Sequence, residues 1–255
     1  MTCVAPTVSA LLGLPAPAQA KGIAIPEMVA GGPAERVALV APDALGEYAW
    51  DLWQAEMPFL RSLHARHSLA LRSVMPSITP VNFAAMVTGT DREGHGIGSY
   101  NDSFVCETLF DVVRRSGGQS AGIGIRGYTG SQLLGRSADL CGRVEEHSDQ
   151  AVEERIGAMA REDRPRFLIA QLGCVDDAFH AFGPSNPEVV PMLRETDARY
   201  QRLAETLTGL GYVLLILSDH GQHDIPEAVF GAKHGSHGTD SDQDCVVPCT
   251  WTRGL

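Results

Sequence analysis

A chain of 255 residues, 44% hydrophobic and 20% charged, is long enough to build one large core without disulfide staples. Its formal charge of −11 and the lack of any Lys/Arg run longer than two residues argue against a nucleic-acid polymer as partner. No apolar run reaches the roughly 18 residues a membrane span needs, so a cytoplasmic protein with no membrane partner is expected.

The first residues, MTCVAPTVSALLGLPAPAQAK, end in an Ala-x-Ala-like site before Lys21, as a signal peptide would. They lack a basic start, and Pro6, Pro15 and Pro17 break the apolar stretch. RVALVAP (36–42) reads as a strand ending at Asp43, and residues 68–74 as a second. The segment PSITPVNFAAMVTG (76–89) then places Thr79 between two prolines, before a helix over 80–88. Two readings of Thr79 stand side by side here: a helix cap with Pro80 at the first helical position, or a nucleophile held at the positive end of a helix.

ETLFDVVRRSGG (107–118) has helical spacing and a glycine stop, QSAGIGI (119–125) returns to strand, and AVEERIGAMARED is a helix. RFLIAQLG (166–173) is a buried strand, 186–209 a long amphipathic helix, and YVLLILSDHG (212–221) the clearest strand of all. Strands alternating with helices predict a single α/β domain over 1–255, a three-layer sandwich around a mostly parallel sheet. Asp43, Asp176 and Asp219 each fall just past the end of a strand, at the edge where open α/β sheets build their sites.

Three clusters carry metal-ligand chemistry. DDAFH supplies Asp176 and His180, SDHG supplies Asp219 and His220, and KHGSHGTD supplies His234 and His237. Carboxylates with imidazoles suit zinc or manganese, and two such ions would make a threonine hydroxyl a usable nucleophile and offset the negative charge. The six cysteines (Cys3, Cys106, Cys141, Cys174, Cys245, Cys249) lack paired spacing and are expected as free or buried thiols. GIGIRG (122–127) matches a dinucleotide fingerprint, but its glycines fall inside a strand, which sets nicotinamide binding aside. GYTGS does not supply the G-x-S-x-G of a serine hydrolase.

Asp43, PSITPVN, DDAFH, SDHG and HGTD, in that order, resemble the alkaline phosphatase superfamily, in particular its nucleotide pyrophosphatase/phosphodiesterase branch. The resemblance implies two divalent ions, zinc with manganese as the alternative. Asp176, His180 and His237 would bind one, and Asp43, Thr79, Asp219 and His220 the other. It also implies a phosphodiester or nucleotide pyrophosphate substrate, a phospho-threonine intermediate on Thr79, and Asn82 hydrogen-bonded to a phosphate oxygen. His234 is the runner-up to His237, and His95 in the similar stretch TGTDREGHGI is read as structural. Phosphomonoesters, phosphonates, or a non-catalytic member binding metal or phosphate are the alternatives. Residues 1–30 resemble the segment that normally closes these proteins, so a circular permutation is expected, with the signal-like stretch serving as a core helix. Pro80 departs from the family pattern, because it removes an amide that often joins the oxyanion site.

Overall fold

In a computed structural model of the protein, residues 1–226 and 232–255 are described. Seven strands form the central sheet: β1 (Arg36–Pro42), β2 (Ser68–Arg72), β3 (Ser120–Ile125), β4 (Leu140–Val144), β5 (Phe167–Leu172), β6 (Tyr212–Leu217) and β9 (Val246–Thr252). A two-residue pair, β7 (His223–Asp224) and β8 (Gly235–Ser236), stands apart. The sheet order is β2-β9-β6-β1-β5-β3-β4, and only β9 runs antiparallel to its neighbours.

Alternation along the strands divides the core in two. Ala38 and Val40 of β1, with Leu168, Ala170, Leu214 and Ile216, face one helical layer. That layer comprises α3 (Glu47–Trp53), α4 (Pro58–His64), α8 (Asp149–Glu162), α9 (Cys174–Phe182) and α10 (Val190–Gly209). Val37, Leu39 and Ala41, with Ile169, Val213 and Leu215, face the other. There lie α1 (Val4–Leu11), α2 (Pro26–Val29), α5 (Thr79–Thr88) and α7 (Leu109–Arg115). The short helices α6 (Arg92–His95) and α11 (Asp242–Cys245) belong to loops. Because both faces are covered, β1, β5 and β6 are buried along almost their whole length. The three-layer expectation therefore holds.

The signal-like N-terminus folds as α1, whose Val4, Val8 and Leu11 are buried in the second layer. No helix among the described residues is long and apolar enough to cross a membrane. All six cysteines are free. The glycines of GIGI serve packing: a Cβ on Gly122 would lie 2.4 Å from the backbone of Leu134, and one on Gly124 would lie 2.9 Å from Gly130. They admit the segment 130–135 against β3. Two strands of the central sheet escaped the sequence reading, β4 and β9, as did the short pair β7 and β8. β4 alternates exposed and buried residues at the sheet edge, and β9 carries Pro248.

Candidate metal and phosphoryl-transfer site

Four turns at the carboxyl edge of the sheet converge. β1 ends at Pro42 and delivers Asp43, and the chain then reverses at Ala44, a buried non-glycine residue at φ 64°. The reversal aims the Ala44 amide at Asp219 Oδ1, 3.3 Å away. β6 delivers Asp219 and His220, both without solvent exposure. The two turns touch backbone to backbone: a Cβ on Gly46 would lie 2.5 Å from Gly221 Cα, and one on Gly221 would lie 2.1 Å from the Gln243 carbonyl. Glycine at both positions is what lets Asp43 and Asp219 share one pocket.

β5 leads into α9, where Asp176 and His180 are one turn apart, with His180 Nε2 3.4 Å from Asp176 Oδ2. His237 follows the β7–β8 pair and places Nε2 3.8 Å from Asp176 Oδ1. Its ring stacks on His220, with centroids 4.0 Å apart. His220 Nε2 in turn lies 3.2 Å from Asp219 Oδ2 and 3.5 Å from Asp43 Oδ1.

All three histidines are oriented alike. His180 Nδ1 donates to the Gly235 carbonyl (2.8 Å), His220 Nδ1 to Gly221 (3.0 Å) and His237 Nδ1 to Ser77 (3.0 Å). A carbonyl only accepts, so the proton belongs on Nδ1 and each Nε2 turns a lone pair toward the carboxylates. Lone pairs facing anions are favourable only with a cation between them, and a backbone carbonyl holding the far nitrogen is how metal-ligating histidines are oriented. The carboxylates agree. Asp43 Oδ1 and Asp219 Oδ2 are buried without a hydrogen-bond partner. Burial, and then the neighbouring Asp219 and Asp176, push the Asp43 carboxyl well above its usual range; burial raises Asp219 as well. Burial and the adjacent His220 hold His237 down to about 4, so its imidazole is neutral. The residues fit divalent cations.

Within this cluster the candidate ligand atoms fall into two groups, each with its atoms within 4.8 Å of one another: Asp43, Asp219 and His220, and Asp176, His220 and His237. His220 thus borders both groups, whereas His180 belongs to neither and reaches the cluster through Asp176 and through its ring, 5.2 Å from that of His237. The ring of His234 enters neither group; its backbone ties His180 to Ile225.

Thr79 is the first residue of α5, and Ile78 takes the cap position without a side-chain cap bond. The hydroxyl is therefore not spent on capping. It donates instead to His220 Nε2, 3.0 Å away. Asn82 differs from expectation. Its Oδ1 accepts from the Val74 amide (2.8 Å), and its Nδ2 donates to the carbonyls of Val74, Pro76 and Ile78. A fully buried amide committed to the 74–78 turn is not free for a phosphate oxygen; it shapes the turn that delivers Thr79. His95 is buried beneath α5 and accepts from the Ile97 amide, a structural placement.

Sequence reading overlooked several residues here. Gln171 donates to Asp43 Oδ2 and accepts from the Gly130 amide, and Gln222 donates to Asp176 Oδ1 at 2.6 Å. Gln171 was detectable as the one polar residue inside the buried strand FLIAQL. A cleft of about 320 Å³ opens over Thr79 and Asp176, walled by Pro80, Tyr100, Tyr128, Thr129 and Lys233.

Comparison with known proteins now bears on this geometry. The chain resembles phosphonoacetate hydrolase from Sinorhizobium meliloti 1021, solved in complex with phosphonoacetate, at 20% identity and a TM-score of 0.59, covering 76% of this chain and 58% of that one. Thus it spans less than two thirds of that enzyme's length. It also resembles murine ectonucleotide pyrophosphatase/phosphodiesterase 5, solved as an inactive variant with AMP, at 13% identity and a TM-score of 0.66, covering 84% and 87% of the two chains. The human protein of that name aligns at 14% identity, a TM-score of 0.65, and 85% and 87% coverage. These likenesses establish a shared fold. No curated protein matches the chain by sequence. A sequence model of the type I phosphodiesterase/nucleotide pyrophosphatase family matches residues 37–119 and 106–237, a span that holds every candidate ligand from Asp43 to His237. The chain belongs to the type I phosphodiesterase/nucleotide pyrophosphatase family of hydrolases.

Proposed function

We propose that the protein is a two-metal phosphoesterase that cleaves phosphodiesters or nucleotide pyrophosphates through a phospho-threonine on Thr79. The observation that carries this reading is the Thr79 hydroxyl, uncommitted to capping and pointed at the carboxylate–imidazole cluster. Asp43, Asp219 and His220 would hold one cation with Thr79, and Asp176, His180 and His237 the other; zinc suits the donors. Bound there, the ions would lower the pKa of the hydroxyl and stabilise charge on the phosphoryl oxygens.

The chain's own residues do the rest. The Asn82-braced turn holds Thr79 Oγ at the cleft floor, beside the Nε2 of His220. The N-terminal end of α5 favours the anionic group beside it, although Pro80 withdraws one amide from that end. Thr79 Oγ loses its proton to solvent and forms the bond to phosphorus as the ester oxygen leaves opposite it. Water then cleaves the phospho-threonine, releasing the phosphoryl product and restoring the hydroxyl.

The test is turnover of bis-p-nitrophenyl phosphate against p-nitrophenyl phosphate by zinc-loaded protein. Thr79→Ala should lower the rate by about 10⁴-fold or more while both ions stay bound. Full activity in that variant sinks the nucleophile assignment. A second reading, phosphonate hydrolysis, is favoured by Lys233 at the cleft, which could meet a second anionic group on a small substrate. Phosphonoacetate turnover in place of diester turnover would select it.

The packing of residues 1–30 supports the circular permutation. α1 shares its core with Val247, Cys249 and Trp251 of β9 and with Phe83 and Val87 of α5. The Lys21 amide donates to the Gly89 carbonyl just past α5.

A further inference from the structure

Asp176 and Asp177 are neighbours on α9, and successive helical residues point about 100° apart. Asp176 faces the carboxylate–imidazole cluster, and Asp177, which lines the same cleft, turns toward the loop between β4 and α8. Its carboxylate meets His147 Nε2 at 2.9 Å, from the loop between β4 and α8. The Tyr128 hydroxyl donates to the same carboxylate at 2.8 Å. Cys174 stands one turn before Asp177 on the same helix face. The ligand atoms of His147, Cys174 and Asp177 lie within 4.8 Å of one another.

We propose that His147, Cys174 and Asp177 form a further divalent-cation site, separate from the phosphoryl-transfer cluster and suited to zinc. One nitrogen, one sulfur and one carboxylate oxygen make a zinc donor set, and the thiolate favours zinc over manganese or magnesium. The His147 side chain is 61% exposed, so a fourth position opens to solvent. Among the described residues Asp177 forms no ion pair with Lys or Arg, so no fixed cation already satisfies it. The backbone is braced for ligation: Asp149 Oδ1 accepts from the Gly173 amide at 2.8 Å and fixes the turn that presents Cys174. An ion here ties the β4–α8 loop to α9 around Tyr128, a wall of the cleft.

Cobalt distinguishes this site from the catalytic one, whose candidate ligands contain no sulfur. Metal-free protein titrated with Co²⁺ should develop a near-ultraviolet thiolate-to-cobalt charge-transfer band. It should also take up one more equivalent than Cys174→Ser, which should lose the band. His147→Ala, at an exposed loop, should weaken the band-forming step at least about tenfold. Absence of the band, equal uptake by the wild type and Cys174→Ser, or a band that persists in Cys174→Ser overturns the proposal. The cobalt held by the Asp/His cluster, and phosphoesterase turnover, read independently of the band, so failure of either proposal is seen separately.

Discussion

Replacing Asp219 by Asn should stabilise the metal-free protein and destabilise the metal-loaded one. Asp219 Oδ2 and Asp43 Oδ1 are buried with no hydrogen-bond donor in reach. A buried polar group left unpaired costs about 1–3 kcal/mol, and more when charged. Removing one of two adjacent carboxylates should therefore raise metal-free stability by about 1–3 kcal/mol, with about 2–4 °C in Tm for each kcal/mol. With zinc present the sign reverses, because an ion at about 1,000 times its Kd contributes about 4 kcal/mol that the variant forfeits. The pH dependence follows the same logic. Both carboxyls titrate higher in the folded chain than in the unfolded one. From about pH 3.9 upward the folded state thus holds more protons, and metal-free stability falls with rising pH until the raised folded values are passed. Asp219→Asn should flatten that fall. Thermal unfolding followed by circular dichroism, with chelator and with zinc, at mildly acidic and mildly alkaline pH, measures all of this. A lower Tm for metal-free Asp219→Asn would refute the reasoning, since the carboxylate would then be satisfied without a cation.

Gly221→Ala would force its Cβ to within 2.1 Å of the Gln243 carbonyl and 3.0 Å of Gly46, parting the turns that carry Asp43 and Asp219. It should cost about 1–3 kcal/mol and weaken zinc binding, read by denaturant unfolding and chelator competition. Asn82→Ala should cost about 1–3 kcal/mol by leaving the Val74 amide without its partner. It should also slow turnover with metal content unchanged, which metal analysis beside an activity assay would check. His64, its ring centroid 4.4 Å from that of Trp50, is held down to about 4 by burial. The unfolded chain therefore takes up a proton that folded His64 refuses, and stability should fall as pH drops from about 6.5 toward 4. His64→Phe should reduce that loss in a pH series of melting temperatures; an unchanged slope would clear His64 of any part in it.

The layers and the edge on which the site lies are legible from local apolar patterning. β1, β3, β5 and β6 read as continuous apolar runs because helices cover both faces of the sheet, and burial on both sides leaves no polar alternation to confuse them. Asp43, Asp176 and Asp219 were legible because each follows such a run at its carboxyl end. β4, with Arg143 exposed at the sheet edge, and β9, with Pro248 in its middle, were not, since their identity comes from the strands they pair with. Tertiary structure alone decided what the polar groups do. Asn82 looked like a phosphate ligand and became the brace of the 74–78 turn, because the carbonyls it meets arrive through the fold of a preceding loop. Thr79 looked like a cap and was freed from capping, because Ile78 takes that position and His220, 141 residues away, accepts the hydrogen bond of its hydroxyl. The identity of the strands covered on both faces is written in local apolar burial. The partner of a hydroxyl or an amide is set by which turns the sheet brings together, and no local pattern encodes that.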